Sequence, residues 1–109
     1  MLRRTVLLFT ITAKHIEIGQ AVRSYAEKKT AKLPRYYDRI NRVEVILDGD
    51  KNGNVSIEII ARAEHNKVFV VKETQENPYK CIDVAVPKLE RQLRKIKGKE
   101  HEDKRPEIA

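Results

Sequence analysis

The chain has 109 residues, which is room for one domain with a two-layer core and excludes a second. With 40% hydrophobic and 36% charged residues it suits a thin globular fold with a heavily solvated outer face, and disorder throughout is excluded. A formal charge of +7 attracts polyanions before any specific contact forms, so nucleic acid or an anionic membrane surface is the natural partner.

Arg3 and Arg4 ahead of Val6, Leu7, Leu8 and Phe9 imitate a secretory signal. Thr10 and Thr12 interrupt that run, and Lys14 stands where a small-residue cleavage site belongs. Residues 5–12 read instead as a first strand, and their continuous apolarity predicts a central one. From residue 18 to residue 33 the spacing becomes helical, with Ile18, Val22, Tyr25 and Leu33 on the apolar side and Arg23, Glu27 and Thr30 on the polar side. Pro34 ends that helix, because the residue before a proline is pushed out of the α region.

Residues 42–48 alternate, with Val43, Val45 and Leu47 on one side, as a half-buried strand does. The Gly, Asp and Asn of residues 49–54 form a turn, and Val55, Ile57, Ile59 and Ala61 resume the alternation as a hairpin partner. Asn66 marks a further turn, followed by a fourth strand over residues 67–72. Asn77 is then an N-cap and Pro78 the first residue of a second helix. Its stripe is Ile82, Val86, Leu89, Leu93 and Ile96, with a kink expected at Pro87 and a stop at Gly98. Residues 1–97 therefore make one α+β domain of order βαβββα, a four-stranded sheet with both helices on one face, as in double-stranded-RNA-binding domains. Residues 98–109 read as a disordered charged tail.

On the second helix Lys80, Lys88, Arg91, Arg94 and Lys95 lie opposite the stripe. The first helix adds Arg23, Lys28, Lys29 and Lys32, continued by Arg35, Arg39 and Arg42. Side by side, the helices would present one basic surface able to track phosphates. Tyr36 and Tyr37, flanked by Arg35 and Arg39, offer rings that stack on bases, or one that packs the helix end on the sheet, and the stem of Lys29 lies near the core edge.

Catalytic groupings do not assemble from this sequence. It holds neither a phosphate-cradling GxxxxGK[ST] loop nor a GxSxG elbow. Asp48 to Asn54 resembles half a calcium loop, but Ile59 stands where the bidentate glutamate should be. His15, His65 and His101 lack ligand spacing, and the lone Cys81 excludes an intramolecular disulfide and fits a reducing compartment. No segment approaches the roughly 20 apolar residues that span a bilayer. Neither an enzyme, a metal, a cofactor nor a membrane partner is expected, and the location expected is cytoplasmic.

Two stretches, AVRSYAEKKTAKLPRYYDRI over residues 21–40 and YKCIDVAVPKLERQLRKIK over residues 79–97, resemble the short ribosome hibernation-promoting factors and the related ribosome-associated inhibitor, or protein Y. The resemblance implies a domain that binds the small ribosomal subunit and its ribosomal RNA, covers the messenger and transfer RNA sites, and inhibits translation by occupancy under stress. It maps RNA contacts onto Lys28, Lys29, Lys32 and Arg35, and onto Lys88, Arg91 and Lys95. Thr30 replaces a usual aliphatic residue, Pro34 and Pro87 replace acidic ones, and Asn77 with Pro78 replaces an acidic capping pair. A short form implies a monomer off the ribosome, with any pairing of ribosomes needing a companion factor or contacts made there. Three other readings share these features: an adapter for double-stranded RNA, a small phosphohydrolase, and a transcriptional or protein-binding module.

Overall fold

The computed structural model describes residues 7–104. Arg3, Arg4 and the expected strand start at Thr5, like residues 105–109 of the expected tail, lie outside the described residues, as does the side chain of His101. The elements are β1 (Leu8–Lys14), α1 (Gln20–Thr30), β2 (Ile40–Gly49), β3 (Val55–Ala63), β4 (Lys67–Gln75) and α2 (Pro78–Lys104). Short 3₁₀ turns occupy Leu33–Arg35 and Glu64–Asn66. The strands lie in the order β1-β2-β3-β4, with β1 parallel to β2 and the two hairpins antiparallel. This is the predicted βαβββα sheet with both helices on one face.

Period-2 alternation sets that face. Val43, Val45 and Leu47 of β2, Val55, Ile57, Ile59, Ala61 and Ala63 of β3, and Phe69 and Val71 of β4 are buried under the helices. The opposite face is open, and Leu8, Val68 and Val70 are exposed there. β1 is an edge strand, not the central one its composition suggested. An apolar run marks a central strand only where both faces of a sheet are covered. Here one face is covered, and the central strands β2 and β3 alternate. Phe9, Ile11 and Ala13 of β1 turn to the helices, while Thr10, Thr12 and Lys14 turn outward.

Two tight places fix the strand ends. A Cβ on Gly49 would lie 2.7 Å from the His15 carbonyl oxygen, where the chain leaving β1 passes the end of β2. His15 has a positive φ of 57° and its Nδ1 bonds Asp48 Oδ1 at 2.9 Å. In the next turn the Asp50 carboxylate accepts the N–H groups of Asn52 and Asn54, so this loop closes a hairpin. Asn66, the second predicted turn residue, adopts φ 62° in a conformation that asparagine tolerates.

α1 stops at Thr30, earlier than the residue before Pro34, and the chain passes through the 3₁₀ turn that contains the proline. Its buried side is also rotated from the predicted one. Ala26 and Thr30 are buried, whereas Ile18 precedes the helix and Tyr25 is half-buried. Thr30 was expected on the polar side, yet it is 1% exposed. Its hydroxyl donates to the Ala26 carbonyl at 2.9 Å, and that bond satisfies the one polar group the core must hold here.

α2 begins as predicted. The Lys80 N–H donates to Asn77 Oδ1 at 2.9 Å, and Pro78 occupies a position that needs no donor. Cys81, Ile82, Ala85, Val86, Leu89 and Leu93 are buried, with Ile96 packed at their edge. The Cys81 thiol donates to the Val55 carbonyl at 3.0 Å, and burial pushes its pKa up. Pro87 lies inside the helix on the exposed side, and α2 continues through it. Gly98 does not end the helix either, since α2 runs to Lys104. One interior glycine costs only about 1 kcal/mol, and the flanking Lys97 and Lys99 are good helix formers.

The two helices meet through Tyr25, whose hydroxyl donates to Asp83 and whose ring stands edge-on to Tyr79 at 5.2 Å. That hydrogen bond, with some burial and the Asp83 charge, raises the Tyr25 pKa above its ordinary 10.0. Because the folded state holds the proton longer, the stability this contact contributes is intact below pH 10 and is lost as pH rises further. A phenol titrating above pH 10 should therefore disappear from the alkaline absorbance titration of Tyr25→Phe. Loss of a phenol that titrates at its ordinary pH instead would show that the bond does not hold in solution. Leu89→Ala, which empties the middle of the α2 stripe, should lower stability by about 2 to 5 kcal/mol in urea denaturation. A midpoint equal to that of the parent would put the stripe on the wrong side of α2.

Candidate nucleic-acid interface

α1 and α2 run side by side in the same direction. Tyr25 meets Tyr79 and Asp83, while Tyr36, further along the chain, meets Arg94. The cations of each helix therefore line up in parallel. On the α1 side Lys28, Lys32 and Arg35 are exposed, and on α2 so are Arg91 and Lys95. None of these five has an ion pair among the described residues. They are available to phosphates without first breaking an internal bond.

The remaining predicted cations are engaged or displaced. Lys29 lies over the Tyr25 ring at 5.3 Å, its stem against the core edge as expected. Arg94 covers the Tyr36 ring at 5.2 Å. Lys80 pairs with Glu76 at 3.0 Å, one turn before it. Lys88 reaches over the far flank of α2 to Glu73 on β4, away from α1. Arg23 stands about 160° around α1 from Tyr25, on the flank turned away from α2. Arg39 is half-buried, and its carbonyl accepts the Glu64 N–H beside the β3–β4 turn. Arg42 projects from the open face of the sheet, so it cannot extend the helical surface.

Tyr37 requires a correction. Its side chain is 3% exposed and stacks edge-on against Phe69 at 5.6 Å, so the ring belongs to the core and no base can reach it. The 3₁₀ turn at Leu33–Arg35 fixes which tyrosine turns inward. Tyr36 is left half-buried between the helices, with Arg94 beside it.

The basic surface is also divided, which charge counting did not foresee. A groove of about 350 Å³ runs between the helices, lined by Lys29, Lys32 and Tyr36 on one wall and by Asp83, Pro87 and Glu90 on the other. Sequence phase places Asp83 and Glu90 at the flank of α2, but not which neighbour that flank meets. Among the described residues no cluster of His, Cys, Asp and Glu could hold a metal ion, and no helix is long and apolar enough to cross a membrane.

Residues 9–101 match the family described as Sigma 54 modulation protein / S30EA ribosomal protein. The ribosome hibernation promoting factor of Escherichia coli (strain K12) is 37% identical over 89 residues, covering 82% of this chain and 92% of that protein. Its counterpart from Pseudomonas putida is 33% identical over 98 residues, covering 83% and 86%. Among solved structures, the N-terminal domain of Thermus thermophilus protein Y matches with a TM-score of 0.72 at 29% identity, over 84% of this chain and 99% of that one. A ribosomal subunit interface protein from Coxiella burnetii shares the fold, with a TM-score of 0.76 at 22% identity and the same coverage. With the match running from β1 into the last turns of α2, this chain belongs to the Sigma 54 modulation protein / S30EA ribosomal protein family.

Proposed function

We propose that the protein is a ribosome hibernation factor that binds the small ribosomal subunit through its two-helix surface and inhibits translation by covering the messenger and transfer RNA sites. The observation that carries this reading is the set of outward, unpaired cations on neighbouring helices, Lys28, Lys32 and Arg35 beside Arg91 and Lys95. Membership of the family and the names of its relatives support a ribosomal partner for this surface. Such a surface can neutralise several phosphates at once and needs no reaction to act, so inhibition is by occupancy, one protein to one ribosome. A ribosomal partner places the working protein in the cytoplasm. Off the ribosome the protein acts as a monomer, and pairing of ribosomes falls to a companion factor or to contacts made on the ribosome.

Cosedimentation with small subunits tests the surface. Arg91→Glu with Lys95→Glu should abolish binding while leaving the thermal melt nearly unchanged, because exposed helical positions contribute little to folding. If about six phosphates are met, log affinity should fall against log salt with a slope of about 4 to 5. Binding should compete with messenger and transfer RNA, and a high-salt wash should restore translation with the ribosomal RNA intact. Full cosedimentation of the double variant would reject this surface. Cut RNA after the wash, or inhibition at a small fraction of the ribosome concentration, would reject occupancy, and equal affinity for free duplex RNA would favour the adapter.

A further inference from the structure

The groove between α1 and α2 has the wrong chemistry for a phosphate. Its α2 wall carries the carboxylates of Asp83 and Glu90, which repel anions, in the middle of a surface whose other exposed side chains are largely basic. Glu90 has no hydrogen bond or ion pair among the described residues, even though Arg94 lies one turn away, because Arg94 is turned onto Tyr36. Pro87 adds a third acceptor. It has no N–H to give the Asp83 carbonyl, its helical partner, so a backbone oxygen on an exposed turn keeps a lone pair to offer. The other wall supplies donors, the ammonium groups of Lys29 and Lys32, and Tyr36 supplies an aromatic surface.

A cleft with acceptors on one wall, and donors beside an aromatic ring on the other, matches a flat heterocycle that carries both kinds of group on its edges. We propose that this groove holds one unpaired nucleobase of the bound RNA and selects a base with an exocyclic amino group, Glu90 accepting from that amine while the lysines meet the ring carbonyl or flanking phosphate. Carboxylates accept from the cytosine amine, and the same position in uracil is a carbonyl oxygen that Glu90 would repel. Tyr36, backed by Arg94, is the stacking surface. This inference rests on the RNA-binding reading above.

Fluorescence anisotropy of the full chain with short oligocytidylate and oligouridylate of equal length, at fixed salt, tests it. The two pyrimidines differ at the position that Glu90 reads, and the cytidylate should bind about tenfold tighter. Glu90→Gln, which removes the charge and can donate to a carbonyl, should bind the uridylate better than the parent does and reduce the preference to less than about twofold. Pro87→Ala should melt at a higher temperature than the parent yet show a narrowed preference, a combination that a purely structural role for the proline would not give. Equal, salt-dependent affinity for both oligomers would overturn the base site and leave the phosphate surface standing. A preference that persists unchanged in both variants would place base reading elsewhere and overturn it as well. Failure of the parent to bind either oligomer would remove the RNA-binding reading, and the groove site with it.

Discussion

Burial of the α2 stripe against β3 and β4 fixes the rotation of that helix, and the rotation decides which side chains meet solvent, which meet β4 and which meet α1. With Cys81, Ile82, Ala85, Leu89 and Leu93 held under the helix, Lys88 and Gln92 fall on the β4 flank, where they bond Glu73 and the Val70 carbonyl. Asp83 and Glu90 fall on the α1 flank, and Arg91 and Lys95 remain outermost. A rotation by one residue, about 100°, would bury charges and bring apolar side chains to the surface, at several kcal/mol for each unpaired charge. The charge layout therefore follows from core packing, without a separate device to maintain it.

Charge is sorted accordingly. Acids compensate cations where the fold must be held: Glu73 ties Lys88 across to the sheet, Glu44 receives Arg62 on the open face, and Glu76 steadies Lys80 at the start of α2. On the outer ridge of α2 and the end of α1 compensation stops, and Lys28, Lys32, Arg35, Arg91 and Lys95 have no acidic partner among the described residues. Asp83 and Glu90 stand apart from these compensating acids, and both lie in the groove. One of them is tied to Tyr25 and the other is not.

Much of this could be read from the sequence because burial along these elements is nearly binary. Strict alternation in β2 and β3 and the four-and-three spacing in α2 leave one solution each, and Asn77 with Pro78 marks the start of α2. Readings failed where a residue's environment depends on a neighbour far away in the chain. The run over residues 5–12 looked central because the test for centrality assumes a sheet covered on both faces. Thr30 looked solvated because its hydroxyl conceals the bond to the Ala26 carbonyl that lets it enter the core. Tyr36 and Tyr37 are adjacent and alike, and a 3₁₀ turn changes the phase between a helix and a strand by an amount that local pattern does not record. Arg42 is different. Its place on the open face follows from the alternation of β2 already in hand, so grouping it with the helical cations conflicted with a signal the sequence did contain.

The uncompensated ridge links folding to binding through ionic strength. Five cations with no ion-pair partner among the described residues repel one another, and that repulsion works against the compact state in the free protein. Added salt screens it within a Debye length of about 8 to 10 Å, which favours the folded chain. The same salt weakens any phosphate contact, because each counterion released into a solution already rich in ions gains less entropy. Salt therefore acts in opposite directions on stability and on any binding to phosphates, and a polyanion would be the stronger remedy, since its phosphates would neutralise the ridge at contact distance. A fold with a satisfied core and such a ridge would be completed electrostatically by a polyanionic partner. Its one-sided sheet leaves the outer sides of both helices uncovered, where one such partner could meet them together.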